Sequence, residues 1–112
     1  MFAYSYKKLK ALIELMSKDG SEPEITIYFR NNDNAYMIIC YANKYSFQRC
    51  GFDNGSGEWY YNNLDELYSA VTVDDIVLKR DWDKIIKINS PDYVGSNDDF
   101  MHACCDFYSK NQ

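Results

Sequence analysis

The chain has 112 residues, a formal net charge of −5 and a hydrophobic fraction of 46%. This length fits one domain with its own core, and the hydrophobic fraction excludes a chain that is disordered by composition. The negative charge disfavours general binding to exposed nucleic acid, because phosphate contacts need clustered lysine and arginine. Aromatic residues make up 17% of the chain and include eleven tyrosines, a residue type that is enriched where proteins contact one another.

The first predicted element is an amphipathic helix over Tyr4–Lys18. Its apolar residues Leu9, Leu12, Ile13 and Met16 recur at spacings of three and four, which places them on one face, and lysines occupy the other side. Such a basic amphipathic helix suits either a membrane surface or a protein core. We expect it to pack on a sheet.

Three runs rich in isoleucine, tyrosine and phenylalanine follow and predict strands over Glu24–Arg30, 35–41 and 45–51. Residues that favour turns separate them, as in an antiparallel meander. Glu58–Tyr61 predicts a fourth strand after a glycine-rich loop. The run 35–41 is apolar on both faces, which is typical of a central strand.

Short helices are expected after the sheet. Asn63 is a favourable N-cap for a helix that ends near Ala70, and a second helix is predicted over Arg80–Lys87. A last helix is predicted to begin at Ser96. The predicted fold class is therefore α+β, with residues 1–112 in a single domain: a four-stranded antiparallel meander, an N-terminal helix, one or two short helices after the sheet and a C-terminal helix.

The sharpest cluster of reactive side chains is His102, Cys104 and Cys105. One helical turn separates His102 from Cys105, and imidazole with thiolate is a zinc-type ligand pair. A closed site would need two more ligands, and no Cys-x-x-Cys spacing occurs. We therefore expect no metal, no cofactor and no enzymatic activity, while a small metal- or thiol-dependent domain using these three residues stays as an alternative.

The acidic residues are unevenly distributed. Between Cys50 and Leu78 the chain has no lysine or arginine, but it has six carboxylates interleaved with tyrosines and Trp59. Acids interleaved with tyrosine can imitate the phosphates and bases of duplex DNA and so occupy a basic cleft. The alternative is ordinary solvated surface. The predicted partner-binding residues from this stretch are Asp53, Glu58, Tyr60, Asp65, Glu66, Tyr68, Asp74 and Asp75.

Two stretches resemble known groups of proteins. Ile25–Ile38, through Asn31, Asn32, Asp33 and Tyr36, resembles the first hairpin of small phage-borne anti-CRISPR proteins that inhibit Cas9. The resemblance implies an acidic α+β inhibitor that blocks the DNA-reading surface of a nuclease, and it adds Asp33 to the predicted partner-binding residues. The stretch 57–67, followed by Leu78 and Trp82, is similar to small uncharacterised domains of bacterial mobile elements, which implies a fold and a setting.

Together these features predict a non-enzymatic acidic protein-binding inhibitor, in the form of an anti-CRISPR protein that masks a basic nucleic-acid-binding surface by DNA mimicry. We expect no direct binding to nucleic acid or membrane, and a location in the cytoplasm of a bacterial host cell. A structural, homo-oligomerising domain of a mobile element is the other alternative.

Overall fold

In the computed structural model, which describes residues 5–17, 20 and 22–89, five antiparallel strands form one sheet in the order β4-β3-β2-β1-β5. The elements in chain order are α1 (Tyr6–Met16), β1 (Glu24–Phe29), β2 (Ala35–Cys40), β3 (Tyr45–Arg49), β4 (Trp59–Tyr61), α2 (Leu64–Ser69), a 3₁₀ turn (Val73–Asp75), α3 (Leu78–Asp81), a second 3₁₀ turn (Trp82–Lys84) and β5 (Ile85–Asn89). The α+β class is confirmed. The predicted C-terminal helix lies outside the described residues.

One face of the sheet forms the core. Alternation along β1 and β2 buries every second side chain, as the period of two in a strand requires. The stripe predicted for α1 is buried too: Leu9, Leu12 and Ile13 belong to the same cluster as the inward residues of the strands. The amphipathic helix is therefore a core helix.

Tyr36 lies at the centre of this core and is fully buried. Its ring stacks on Phe47 with centroids 5.7 Å apart and meets Phe29 edge-on at 5.5 Å. Its hydroxyl donates to Asp74 Oδ2 at 2.7 Å and accepts from Asn32 Nδ2 at 3.1 Å. A buried hydroxyl needs such partners, and these bonds fasten β2 to the first 3₁₀ turn.

The prediction of four strands is wrong, and the helix predicted over Arg80–Lys87 is confirmed only up to Lys84, where α3 and the second 3₁₀ turn lie. Helix α3 ends at Asp81, and the chain then forms β5, which pairs with β1. Tyr28 pairs with Lys87 and Phe29 with Ile85, so Ile86 is an extra residue, a β-bulge. The bulge puts two exposed residues between the buried Ile85 and Ile88, and this spacing imitates the period of a helix.

The predicted start of α2 is confirmed. Asn63 Oδ1 accepts from the Glu66 backbone N–H at 2.8 Å, and Glu66 Oε2 accepts from the Asn62 N–H at 3.4 Å. Side chains on both sides of the cap thus satisfy backbone donors that the helix leaves free. Leu64 and Leu67 bury the inner side of the helix.

Candidate functional site

Three exposed aromatic side chains lie within nine positions of one another, at the edge of the sheet formed by β4 and in the loop before it. Phe52 is 107% exposed, Trp59 44% and Tyr60 54%. Trp59 and Tyr60 are consecutive in a strand, so they project from opposite faces of the edge. We call Phe52, Asp53, Glu58, Trp59 and Tyr60 the β3–β4 surface.

The loop that carries Phe52 is folded back on the end of β3. Ser56 Oγ accepts from the Arg49 N–H at 2.8 Å, and Arg49 Nε donates to the Asn54 carbonyl at 2.8 Å. Gly55 approaches the Gly51 carbonyl so closely that a β-carbon there would lie 2.6 Å from the oxygen. These contacts hold the loop in one shape, and the Phe52 side chain is therefore presented to solvent on a constrained backbone.

Glu58 is fixed by two tyrosines on the outer face of the sheet. Tyr41 donates to Glu58 Oε1 at 2.7 Å, and Tyr60 donates a short hydrogen bond to Oε2. Hydrogen bonds from Tyr60 and Tyr41 lower the pKa of Glu58, while the bond to Glu58 raises the pKa of Tyr41 to about 12. The ammonium of Lys44 lies 4.2 Å from the centroid of the Tyr60 ring, a favourable cation–π distance. The result is a preorganised carboxylate with an exposed ring beside it.

Several predicted binding residues already have partners inside the chain. Lys10 Nζ and the Tyr6 hydroxyl both donate to Asp65, at 2.8 Å and 2.6 Å. Arg49 and Tyr36 both donate to Asp74, at 2.5 Å and 2.7 Å, and these bonds lower the pKa of both carboxyl groups. The stretch that lacks basic residues in sequence is thus partly neutralised by basic residues from other elements.

The remaining predicted residues lie on other elements. Tyr68 belongs to α2, where its ring stacks on Tyr6 with centroids 3.7 Å apart, and Glu66 is exposed in the first turn of the same helix. Asp33 is exposed in the β1–β2 turn, and Asp75 follows Asp74 in the first 3₁₀ turn. Of the predicted set, the structure brings Glu58 and Tyr60 into direct contact, with Asp53 in the adjoining loop.

Sequence reasoning did not select Phe52, Trp59, Tyr41 or Lys44 for this site. Phe52 carried a usable signal, since a large aromatic residue within a glycine-rich loop has little chance of being buried. No local signal in the sequence pointed to Tyr41 and Lys44, because they flank the turn between β2 and β3. They reach Glu58 and Tyr60 only through the pairing of β2, β3 and β4.

The two cysteines that the structure describes do not form an activated thiol site. Cys40 is buried in the core, and burial raises the pKa of the half-buried Cys50; a raised pKa disfavours the reactive thiolate. No group of three potential metal ligands occurs within residues 5–17, 20 and 22–89. His102, Cys104 and Cys105 lie outside the described residues.

Comparisons with known proteins give no match: no family, curated protein or solved structure is significantly similar to this chain. In the part of the chain that the structure describes, no helix is both long enough and apolar enough to cross a membrane.

Proposed function

We propose that the chain is a non-enzymatic binding module that contacts a basic surface of another protein through the β3–β4 surface. The observation that carries this proposal is the concentration of exposed aromatic area. Among the described residues, five large hydrophobic side chains are exposed, and three of them, Phe52, Trp59 and Tyr60, belong to this surface. Large exposed aromatic side chains at a sheet edge favour an interaction site there, with Trp59 and Tyr60 on opposite sides of the edge, and tryptophan and tyrosine are frequent hot-spot residues.

The charges of the surface support a basic partner. Asp53 is exposed in the loop, and Glu58 is held in place by Tyr41 and Tyr60. A carboxylate that is already fixed loses little side-chain entropy when it pairs with a partner's lysine or arginine. These carboxylates therefore favour a partner that presents cationic side chains, which can also stack on Phe52 and Trp59, whereas Tyr60 already has the Lys44 ammonium over its ring.

The narrower form of the proposal is inhibition of a nucleic-acid-binding nuclease, such as a CRISPR nuclease, in the cytoplasm of a bacterial host cell. Its support is the acidic balance of the chain and the neighbouring acids and tyrosines of the surface. Because Lys10 and Arg49 already pair with Asp65 and Asp74, we assign the mimicking charges to Asp53, Glu58 and the exposed Glu66 rather than to the whole acidic stretch.

A comparative capture experiment tests the proposal. Immobilised wild-type protein, a Phe52→Ala/Tyr60→Ala variant and a Val71→Ala/Ile86→Ala variant are incubated with bacterial lysate, and bound proteins are identified by mass spectrometry. Val71 and Ile86 are both 64% exposed, so they are matched apolar controls outside the β3–β4 surface. We expect basic proteins that wild type and the control retain and the first variant loses.

Two outcomes contradict the proposal: the same proteins on all three columns, or losses that the control variant shares. Competition distinguishes the narrower form, since duplex DNA should release the captured partner if the surface occupies a nucleic-acid-binding cleft. A partner that stays bound in excess DNA would leave the binding module in place and refute DNA mimicry.

A further inference from the structure

A cleft of about 400 Å³ lies at the end of the sheet where β1 turns into β2. Its walls come from the β1–β2 turn, the first 3₁₀ turn and the segment from α3 to the second 3₁₀ turn. Arg30, Arg80 and Lys84 bring basic side chains to it, and Phe29 and Ile76 contribute apolar atoms. None of the residues of the β3–β4 surface lines this cleft.

Two of the carboxylates at the cleft are already neutralised. Asp74 is paired with Arg49 at 2.5 Å. Asp81 is 5% exposed and accepts from Arg80 at 2.8 Å and Lys84 at 3.2 Å, and these partners, Arg80 first, lower its pKa to about 2. Asp81 therefore acts as an internal counter-ion that holds Arg80 and Lys84 in place, whereas the partner of Asp74, Arg49, does not line the cleft.

Donor groups are left over after these pairs are formed. The Arg30 side chain is exposed, and its guanidinium makes none of the ion pairs found among residues 5–17, 20 and 22–89. Arg80 uses Nε and Nη2 for Asp81 and for the Asp75 carbonyl, which leaves Nη1 available. The Lys84 side chain is 56% exposed and carries more N–H groups than its one ion pair uses.

The backbone of the cleft is unusual as well. Asn31, Asp74 and Asp75 all line it, and all have left-handed conformations, with φ of 60°, 57° and 60°. They are the non-glycine residues with positive φ in the part of the chain that the structure describes. Asparagine and aspartate tolerate this conformation better than other residues with a side chain, so the walls of the cleft are built from turn residues.

We propose that this cleft binds a phosphate-type oxyanion, either free or as the monoester of a small molecule. Three cationic side chains converge on one cleft in a protein of net negative charge, and charge-assisted hydrogen bonds to phosphate oxygens are among the strongest polar contacts. The volume suits a small ligand. The exposed carboxylate of Asp75 lies at the same cleft and opposes the anion, so its charge limits affinity.

Calorimetric titration with inorganic phosphate, at fixed pH and at an ionic strength held constant with chloride, tests the proposal. We expect saturable binding to wild type and at least about tenfold weaker binding to Arg30→Ala, which loses charge-assisted hydrogen bonds. Lys79→Ala removes an exposed charge from α3 that does not line the cleft and should change affinity less than about twofold, as expected for a charge screened by solvent and salt. Asp75→Asn keeps a residue that tolerates the left-handed backbone and should tighten binding.

Arg30→Ala and Asp75→Asn are expected to change phosphate affinity in opposite directions, which makes the test decisive. Absence of saturable binding to wild type, equal losses for Arg30→Ala and Lys79→Ala, or weaker binding by Asp75→Asn would each overturn the proposal. Lys84→Ala provides a second variant if Arg30→Ala does not fold, because Asp81 then still accepts from Arg80 and from the Val77 N–H. It should show the same loss of phosphate affinity as Arg30→Ala.

Discussion

Tyr36→Phe removes one oxygen atom from the centre of the molecule and leaves the aromatic packing unchanged. In wild type that oxygen donates to the Asp74 carboxylate at 2.7 Å and accepts from Asn32 at 3.1 Å. The substitution deletes a hydrogen bond to a charged group, which contributes roughly 1.5–3 kcal/mol, and a neutral one of about 1 kcal/mol. Asp74 keeps Arg49, and its side chain is 32% exposed, so water replaces part of the loss. We expect the free energy of unfolding to fall by about 1.5–3 kcal/mol.

Urea denaturation measures this loss as a lower transition midpoint at an unchanged m-value. Tyr28→Phe is the matched control, since Tyr28 lies on the outer face with Lys87 over its ring at 5.2 Å. No hydrogen bond of its hydroxyl is present among the described residues, and that variant should stay within about 0.5 kcal/mol of wild type. Equal losses in the two variants would refute the role assigned to the Tyr36 hydroxyl.

The same variant changes the acid sensitivity of the protein. The bond from Tyr36, and then that from Arg49, lower the pKa of Asp74 below its value in the unfolded chain. A group with a lowered folded pKa stabilises the protein above its unfolded pKa, about 3.9, and this stabilisation is lost as the pH falls below it. Tyr36→Phe weakens the shift, so the difference in stability between wild type and variant should shrink as the pH is lowered from 6 toward 3. A constant difference would contradict the assignment.

Three further substitutions test the packing. Leu12→Ala should cost roughly 2–5 kcal/mol, because Leu12 is 4% exposed on the inner face of α1, and near-neutral unfolding would show that α1 does not cover the sheet. Ile88→Ala should cost a similar amount, whereas Ile86→Ala should change stability by less than about 0.5 kcal/mol, since Ile86 is the exposed bulge residue of β5; a comparable loss for Ile86→Ala would contradict its exposed position. Ser46→Ala should stabilise the protein by roughly 1 kcal/mol, measured by urea denaturation, because the buried Ser46 hydroxyl has no partner among the described residues. A loss of stability there would show that the hydroxyl is satisfied.

The meander could be read from the sequence because turn residues separate short runs rich in isoleucine, tyrosine and phenylalanine. Alternation in 24–29 marks the two faces of β1, and the Asn-rich turn after it fits the observed hairpin, with Asn31 in the left-handed conformation. Strand β5 could not be read in this way. Its bulge arises from pairing with β1, which no local pattern in 85–89 records.

The charge balance of the acidic stretch could be read from the sequence only in part, for the same kind of reason. A run without lysine or arginine appears uncompensated in sequence, but Lys10 and Arg49 reach Asp65 and Asp74 across the fold. The exposed carboxylates that remain available depend on these long-range pairs. Their identity therefore follows from the tertiary structure and could not follow from spacing along the chain.

The most direct test of the proposed binding module is the affinity of a purified captured partner for two double variants. Phe52→Ala/Tyr60→Ala removes two exposed rings of the β3–β4 surface, and Val71→Ala/Ile86→Ala truncates two exposed apolar side chains elsewhere. With each ring acting as a hot-spot residue, the first variant should bind roughly 100-fold or more weakly, while the second should stay within about threefold of wild type, as expected for residues outside an interface. Equal affinities for the two variants, at unchanged melting temperatures, would contradict a partner site at the β3–β4 surface.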